Sequence, residues 1–385
     1  MNLELTETQK MIQDTARNFA KAELEPVAAK LDQQGDRETF LKNLRKLGEL
    51  GLMAINVKEQ YGGSEAGVIA FSLAVTEIGK ACASTGVTMS VNNMVCEVIQ
   101  AIGTEEQKKA YIPKIASGEY YAGGFGLTET MAGSDPSGMK TTAVLDGDSW
   151  VLNGSKIFIT SAEYAGVFVV WAVTDPKAPK GKGISTFLIE NGTKGFTIGR
   201  AEHKMGQHAS ATNELLFEDC RVPKTALMGK VNDGFRTAVG ELAGGRIGIG
   251  SLALGIGQAA IEYATKYAMN RFQFDQPITN FQAIQWMIAE GYTELEAARL
   301  LLMNAAFKKE QGKFFAREAS MAKYYATEAA ERACHKAIQM LGGYGYTNEF
   351  PVERYARDVR ITSIYEGTNQ IQRLIIARDI LSSLK

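Results

Sequence analysis

Apolar residues recur at helical spacing through the N-terminal part of the chain. The first such segment follows Thr6, which is suited to cap a helix, and runs to Ala20. The pair Gly62-Gly63 interrupts the pattern, as glycine pairs do. We therefore predict a wholly helical N-terminal domain. Two further segments have the same period: Phe40–Leu52 and Val68–Ala83.

Short strand-like segments dominate from Tyr120 to Arg221. The dipeptides Asp146-Gly147 and Asn153-Gly154 each predict a tight hairpin, because residues with positive φ are favoured there. The regular spacing of the strands indicates a small antiparallel barrel or sandwich. The later strand segments are Val167–Val173, Ile184–Ile189, Phe196–Ile198 and Glu214–Phe217.

Long helical segments return after Pro223, and their short connections favour an antiparallel bundle. The predicted fold class is α+β: an N-terminal helical domain at 1–117, a central antiparallel β-barrel domain at 118–225 and a C-terminal four-helix bundle at 226–385. The four C-terminal segments are Gly248–Met269, Phe281–Gln311, Arg317–Leu341 and Gln370–Leu384.

The composition narrows the function classes. The 385 residues include 42 basic and 43 acidic side chains, and 45% are hydrophobic, which is typical of an ordinary globular protein. The net charge of −1 argues against a bulk nucleic-acid binder. No stretch of ~18 uncharged apolar residues predicts a membrane span.

Cysteine and histidine usage predicts no metal site. The three histidines and four cysteines are scattered, and no two cysteines are spaced as CxxC. Cysteines used in this way are typical of a reducing compartment. The N-terminus has no basic stretch leading into an apolar one, so we expect no signal peptide and a cytoplasmic location.

One motif suggests a dinucleotide-binding enzyme. Gly255–Ala260 matches GxGxxA, and Asp275 follows at the distance of the acidic residue in a Rossmann unit. The segments that follow are all helical, so the alternation of strand and helix that this fold requires is missing. We interpret the glycines as a place where helices pack closely.

Three glycine-bearing or strand-end segments are candidate ligand sites, and each also has a simpler interpretation. The loop Gly126–Asp135 offers backbone N–H groups and hydroxyls, but it also suits a plain turn. In Lys156–Ser161, Phe158 and Thr160 point to the same side of a regular strand, where they could flank and hydrogen-bond a planar ring, but the segment also suits a half-buried strand. The third segment, Leu341–Tyr346, has glycines where a helix C-cap is expected.

Glu366 is a candidate general base. It lies just before Thr368 and Asn369, either of which can cap the last helix. An isolated glutamate in a loop is far more often a solvated surface residue.

Taken together, these segments resemble the acyl-CoA dehydrogenases. The resemblance runs from about Leu5 to Ile380, and Ser90–Asn93 and Gly244–Ile247 are most similar to the short-chain, butyryl-CoA branch. The motifs that carry it are LTE…AGSD, FIT, NRFQFDQPI, QMLGGYGY and YEGTNQIQR.

The resemblance implies a noncovalent FAD and oxidation of an acyl-CoA to its trans-2-enoyl-CoA. It implies that Glu366 removes the α-proton, that the flavin N5 takes the β-hydride, and that the N–H of Glu366 helps to hold the thioester carbonyl. We expect a water-poor pocket to raise the pKa of this carboxylate. Electrons would pass to an electron-transfer flavoprotein, and the chain would form a homotetramer, a dimer of dimers.

The resemblance also assigns binding residues. Some FAD contacts would come from a neighbouring subunit. The implied substrate contacts are Ser134, Ala243, Arg246, Tyr365 and Gly367. The implied FAD contacts are Phe125, Leu127, Thr128, Gly133, Ser134, Phe158, Ile159, Thr160, Arg271, Phe274, Gln282, Gln339, Gly342, Gly343, Thr368 and Gln370.

The chain departs from the family pattern at three places. Thr130-Met131 replaces the usual proline and glycine, Ala243 replaces a common aspartate near CoA, and Gln370 replaces a frequent glutamate. The alternatives are an acyl-CoA oxidase, another flavoenzyme of the same fold such as a nitroalkane oxidase, or a non-enzymatic flavin-binding relative that docks on DNA. No C-terminal extension of the kind found in the oxidases or the DNA-docking relative is seen.

Overall fold

The computed structural model describes residues 4–384, except for the side chain at position 241. Helices come first, a sheet lies in the middle, and helices follow, which confirms the predicted α+β order. The N-terminal helices are α1 Glu7–Phe19, α2 Ala28–Gln34, α3 Arg37–Glu49, α4 Val68–Ala81, α5 Ala83–Ile102 and α6 Glu105–Ala116, with a π-helical turn at Ala20–Leu24 after α1.

The predicted start of α1 is confirmed by its cap. The Thr6 hydroxyl accepts a hydrogen bond from the backbone N–H of Gln9 at 3.2 Å, and the Gln9 side chain accepts one from the N–H of Thr6 at 3.0 Å. This capping box satisfies two N–H groups that the helix leaves without partners. Helix α5 is buried along nearly its whole length, so it runs through the core.

The middle of the chain forms one eight-stranded sheet, in the order β6-β7-β3-β2-β4-β5-β8, with β1 paired to β4. The path of hydrogen bonds is open, and β1 is parallel to β4, so the mostly antiparallel sheet is mixed. The strands are β1 Ala122–Gly126, β2 Thr142–Asp146, β3 Ser149–Thr160, β4 Ala165–Val173, β5 Ile184–Glu190, β6 Phe196–Ala201, β7 Thr212–Pro223 and β8 Leu227–Met228.

Only one of the two predicted hairpins exists. Asp146-Gly147 connects β2 and β3 as expected. The prediction at Asn153-Gly154 is wrong, because β3 continues through it with an irregularity in its pairing to β7. Gly154 has φ +138°, and a Cβ there would lie 2.7 Å from the Cα of Thr141. The glycine therefore permits a bulge and a close approach of backbone rather than a turn.

The C-terminal part contains four long helices, as predicted, and a shorter one that the sequence pattern did not reveal. Helix α7 begins 14 residues before the predicted start, because its glycine-rich first turns carry little periodic signal. These helices are α7 Gly234–Asn270, α8 Gln282–Glu310, α9 Ala316–Leu341, α10 Val352–Arg360 and α11 Asn369–Ser383; a small hairpin, β9 Phe272–Gln273 and β10 Gln276–Pro277, joins α7 to α8.

The glycines of the GxGxxA match serve helix packing, as interpreted from the sequence. A Cβ on Gly255 would lie 2.2 Å from the carbonyl oxygen of Thr76, and one on Gly257 would lie 2.9 Å from the Cα of Ala330. Helix α7 is long and apolar enough to cross a membrane, but 78% of its apolar stretch is buried inside the protein. It is the central helix of the core.

Candidate active site

Glu366 lies in the short connection between a 3-10 turn at Ile361–Ser363 and α11. Its backbone has φ +52°, and that of Gly367 has φ +86°. A non-glycine residue in this left-handed region costs about 1–2 kcal/mol, so the surrounding contacts must hold the connection in place. The Thr368 hydroxyl caps α11 by accepting from the N–H of Ile371 at 3.3 Å, which settles which of the two candidate residues is the cap.

The Glu366 carboxylate points into the protein. Its Oε2 atom is buried and has no hydrogen-bond partner within residues 4–384. A Cβ on Gly245 of α7 would lie 2.8 Å from this oxygen and 2.8 Å from the Sδ of Met94 on α5. Glycine is therefore needed at 245, since any side chain there would displace the carboxylate. A buried acceptor with no partner requires an explanation, and a ligand that binds there is one.

Two cations face this carboxylate. Burial raises the pKa of Glu366 from 4.5 to about 7, and the charges of Arg246 and Lys323 oppose the increase. Arg246 is 5% exposed and donates to the Ser320 hydroxyl at 3.3 Å. Burial lowers the pKa of Arg246, and the charge of Glu366 opposes this. The result is a buried group of charges in which the carboxylate is ionised in part at neutral pH.

The neighbouring residues of the connection are also held. The Nε2 of Gln372 donates to the carbonyl oxygens of Gly367 at 2.8 Å and of Glu366 at 3.3 Å. The hydroxyl of Tyr365 accepts from the Nε2 of Gln207 at 3.4 Å, and burial raises the pKa of this tyrosine. Burial also raises the pKa of Asp358 to about 6, although its carboxylate accepts from the N–H of Gln207.

A second group of predicted residues lies where β1 ends. The carbonyl of Thr128 accepts from the N–H of Ile157 at 2.9 Å, so the loop after β1 is tied to β3. Leu127 is buried and Thr128 is half-buried, whereas Gly133 and Ser134 are exposed. Phe125 packs on Trp171, with ring centroids 4.5 Å apart. The structure thus brings the loop against the strand that carries Phe158.

An ion pair under this loop was not predicted from the sequence. The fully buried Lys156 of β3 donates to Glu129 at 2.7 Å and to the carbonyl of Leu127 at 3.3 Å. The N–H of Thr141 also donates to Glu129, at 3.0 Å. Burial lowers the pKa of Lys156 to about 8, and the charge of Glu129 opposes this. The local sequence carries no signal for this pair, because Glu129 lies between two threonines and Lys156 lies between Ser155 and Ile157.

The regular strand predicted at Phe158–Thr160 is interrupted. Phe158 has φ +59° and is 58% exposed, whereas Ile159 is 2% exposed. The pairing of β3 with β7 shifts between Lys156 and Ile159, so side chains do not alternate simply there. The aromatic ring of Phe158 consequently stands out from the sheet next to the half-buried Thr160.

A third group lies at the far ends of α7 and α9. The Arg271 guanidinium is 5.7 Å from the centre of the Tyr344 ring and forms no ion pair within residues 4–384. Gly342 ends α9 with φ +62°, which confirms the predicted cap, and a Cβ on it or on Gly343 would meet nothing within 4 Å. Phe274 is 86% exposed and packs on Phe281. Gln282 and Gln339 are exposed as well.

The remaining predicted residues, Ala243 and Gln370, lie outside the group around Arg271. Ala243 is buried, and Gln370 is exposed at the start of α11. Within the described part of the chain, no hydrogen bond, ion pair or ring contact joins the group around Arg271 to the other two. In the same range, no set of three or more His, Cys, Asp or Glu side chains is arranged to hold a metal ion.

The residues of the second and third groups fit a flavin dinucleotide. An exposed arginine with no acidic partner among the described residues, next to open glycine backbone, suits a pyrophosphate. An exposed aromatic ring beside a polar loop and a hydroxyl suits a planar heterocycle.

Comparison with known families identifies the chain. The family models for the N-terminal, middle and C-terminal domains of acyl-CoA dehydrogenase match residues 6–119, 124–220 and 232–381. The chain belongs to the acyl-CoA dehydrogenase family. The short-chain specific acyl-CoA dehydrogenase of Bos taurus mitochondria is 48% identical over 385 residues, with 100% of this chain and 92% of that protein covered. The acryloyl-CoA reductase (NADH) of Anaerotignum propionicum is 44% identical, with 99% and 96% covered.

Solved acyl-CoA dehydrogenases have the same fold. Butyryl-CoA dehydrogenase from Megasphaera elsdenii superimposes with a TM-score of 0.95 at 40% identity, covering 99% of this chain and 100% of that one. An acyl-CoA dehydrogenase from Bacillus anthracis, solved in complex with FAD, gives a TM-score of 0.93 at 32% identity, covering 99% of this chain and 68% of that one. The resemblance inferred from the sequence motifs is confirmed.

Proposed function

We propose that this acyl-CoA dehydrogenase binds FAD and oxidises a short acyl-CoA to the trans-2-enoyl-CoA, with Glu366 as the base. The observation that carries the proposal is the buried Oε2 of Glu366, which has no hydrogen-bond partner within residues 4–384 and a pKa raised by burial to about 7. Such a carboxylate is suited to accept a proton at neutral pH.

The proposed mechanism assigns separate tasks to the atoms of the connection. The Oε2 of Glu366 removes the α-proton of the thioester. The backbone N–H of Glu366 donates to no group in the described residues, so it is free to stabilise the negative charge that develops on the thioester carbonyl. Arg246 and Lys323 favour the ionised carboxylate before the proton is taken. When bound, FAD supplies the acceptor for the β-hydride.

The proposed FAD contacts are the binding residues predicted from the sequence. The loop from Phe125 to Ser134 and the strand end Phe158–Thr160 would hold the flavin ring. Arg271, with Phe274, Gln282, Gln339, Gly342 and Gly343, would hold the pyrophosphate and adenosine of a FAD shared with a second subunit. This division is supported by the lack of direct contacts between the Arg271 group and the other groups within residues 4–384.

A short acyl group is supported by the packing near Glu366. Gly248 lies about one helical turn beyond Gly245 on α7. A Cβ on Gly248 would lie 2.2 Å from the Oγ of Ser90 and 3.1 Å from the Cζ of Phe71. Helices α4 and α5 thus pack tightly against α7 just beyond the carboxylate. We propose that this contact limits the length of the acyl chain.

The reverse reaction, reduction of an enoyl-CoA, is the second candidate. It is favoured by the 44% identity to an acryloyl-CoA reductase. In that direction the protonated Glu366 would return a proton to the α-carbon, and a pKa near 7 supplies both protonation states at neutral pH.

We further propose that the enzyme is a homotetramer that passes its electrons to a second protein. Exposed apolar side chains on α8 and α11, including Trp286 at 62% and Leu381 at 61%, support a homotetramer. An electron-transfer flavoprotein would accept the electrons.

Four buried free thiols support a reducing compartment such as the cytoplasm. The proposed domains are 1–117, 118–225 and 226–385, with β8 crossing the second boundary to pair with β5.

A panel of acyl-CoA thioesters with an artificial electron acceptor tests the proposal. We expect turnover of butyryl-CoA, and much slower turnover of thioesters several carbons longer. An assay of crotonyl-CoA with a reduced acceptor measures the reverse reaction on the same sample. Turnover of long-chain substrates equal to that of butyryl-CoA would contradict the short-chain assignment.

A further inference from the structure

Lys323 of α9 lies beneath the connection that carries Glu366. Its side chain has no exposed surface. The ammonium donates to the carbonyl oxygen of Gly367 at 2.9 Å and to the Oδ1 of Asn369 at 3.0 Å. These acceptors lie on either side of Thr368, so one side chain fixes the connection just after the carboxylate-bearing residue.

The contacts of Lys323 belong to a larger set that fixes the same peptide groups. The carbonyl of Gly367 also accepts from Gln372, so it receives two donors. The Nδ2 of Asn369 donates to the Thr327 hydroxyl at 3.0 Å, one turn along α9 from Lys323. Helix α9 therefore holds the connection through Lys323 and Thr327. These contacts help to keep Glu366 in its left-handed conformation, with φ +52°.

The charge of Lys323 is not matched by a direct ion pair. Within residues 4–384 no carboxylate lies within 4 Å of its ammonium, and both hydrogen-bond acceptors are neutral. The charged groups that face it are Glu366, Arg246 from α7, and Glu328 and Glu331 on α9 itself. Burying a lysine in this way is unfavourable, so the arrangement is poorly explained by stability alone.

We propose that Lys323 is a positioning residue for proton abstraction, fixing the peptide that follows Glu366 and favouring the ionised form of its carboxylate. This inference rests on the proposed role of Glu366 as the base. Burial lowers the pKa of Lys323 to about 7, and the negative charge of Glu366 opposes this. Lys323 therefore carries its charge below pH 7, where the carboxylate most needs help to ionise.

The test compares Lys323→Met with Lys308→Met, both as FAD-loaded enzymes. Lys308 of α8 pairs at 2.6 Å with Glu318 of α9, the helix that carries Lys323, and within residues 4–384 it has no hydrogen bond or ion pair with the connection. The pKa of Glu366 is measured by infrared titration of its carboxyl band, assigned by difference from Glu366→Gln, and by the pH profile of kcat/KM. We expect the pKa of Glu366 to rise by about one unit in Lys323→Met and to stay unchanged in Lys308→Met.

The kinetic readout separates this role from a general loss of structure. We expect kcat/KM below pH 7 to fall roughly tenfold in Lys323→Met, with flavin content retained. An unchanged pKa in folded, flavin-loaded Lys323→Met would overturn the inference. If that variant does not fold, Lys323→Gln is decisive, because it keeps an amide donor for Gly367 but not the charge. Activity retained in Glu366→Gln would instead refute the proposed function.

Discussion

Gly245 leaves room for the carboxylate of Glu366, although the two residues are far apart in sequence. The position of a Cβ on Gly245 lies 2.8 Å from the Glu366 Oε2 and 2.8 Å from the Met94 Sδ. At position 245, helix α7 therefore lies so close to the carboxylate that a Cβ atom would not fit. The position of the base depends on a glycine that, in a helix interior, is intrinsically unfavourable.

Gly245→Ala should separate activity from stability. Alanine favours the helix by about 1 kcal/mol, but its methyl group would push the carboxylate away from its site. We expect kcat to fall by roughly 10- to 100-fold with little change in the melting temperature. Gly240→Ala is the matched control, because a Cβ at this exposed position of α7 meets nothing within 4 Å. Equal kcat for both variants would contradict the prediction.

The buried pair Lys156–Glu129 should stabilise both the sheet and the loop after β1. Lys156→Met leaves the Glu129 carboxylate buried without its cation, which typically destabilises a protein by about 3–5 kcal/mol. We expect a lower melting temperature and faster release of FAD on dilution. The double variant Lys156→Met/Glu129→Gln should recover part of the stability, because the buried charge is gone. A single variant as stable as the wild type would refute this account.

Arg271 should contribute to FAD affinity through its guanidinium, which forms no ion pair within residues 4–384. Arg271→Lys keeps the charge but loses the planar pair of donors that matches phosphate oxygens. We expect flavin content after gel filtration to fall, with the fold retained. The exposed Arg200 provides the control, since Arg200→Lys should keep its full flavin content. Unchanged flavin affinity in Arg271→Lys would remove this residue from the proposed site.

The pH dependence of the free energy of unfolding follows from the direction in which folding shifts the pKa of Glu366. Folding raises the pKa of this group from 4.5 to about 7, so folding favours the protonated form. Its contribution to stability is complete below pH 4.5 and is lost as the pH rises through 7. Glu366→Gln should therefore be more stable than the wild type at pH 8, by on the order of 1–3 kcal/mol, with the difference vanishing near pH 4. Thermal unfolding at both pH values measures this.

The sequence reveals the order of domains because periodicity records which faces are buried. It does not reveal every turn, as Asn153-Gly154 demonstrates. That dipeptide has the composition of a hairpin, but the approach of Thr141 to Gly154 decides the conformation, and Thr141 lies on a separate segment of the chain. The same limit applies at Phe158, where a shift in the pairing with β7 breaks the predicted alternation.

The sequence motifs point to Glu366 as the candidate base, but they do not reveal the buried charged residues of the site. Nothing in the local sequence of Lys323 or Lys156 distinguishes a buried lysine from a solvated one. Both are buried because segments distant in sequence pack over them, and their acceptors lie elsewhere in the chain. Residues that tune a site through space have no local signature, so a structure is needed to find them.

The central claim is that the Glu366 carboxylate removes the α-proton. The turnover rate of a variant without this carboxylate tests it most directly. Turnover of butyryl-CoA by Glu366→Gln is compared with the wild type and with Glu349→Gln, an exposed control, at equal flavin content. The amide has nearly the same shape but cannot accept the proton, so we predict a loss of roughly 100- to 10,000-fold with butyryl-CoA binding retained. Turnover by Glu366→Gln equal to that of the wild type would contradict the account.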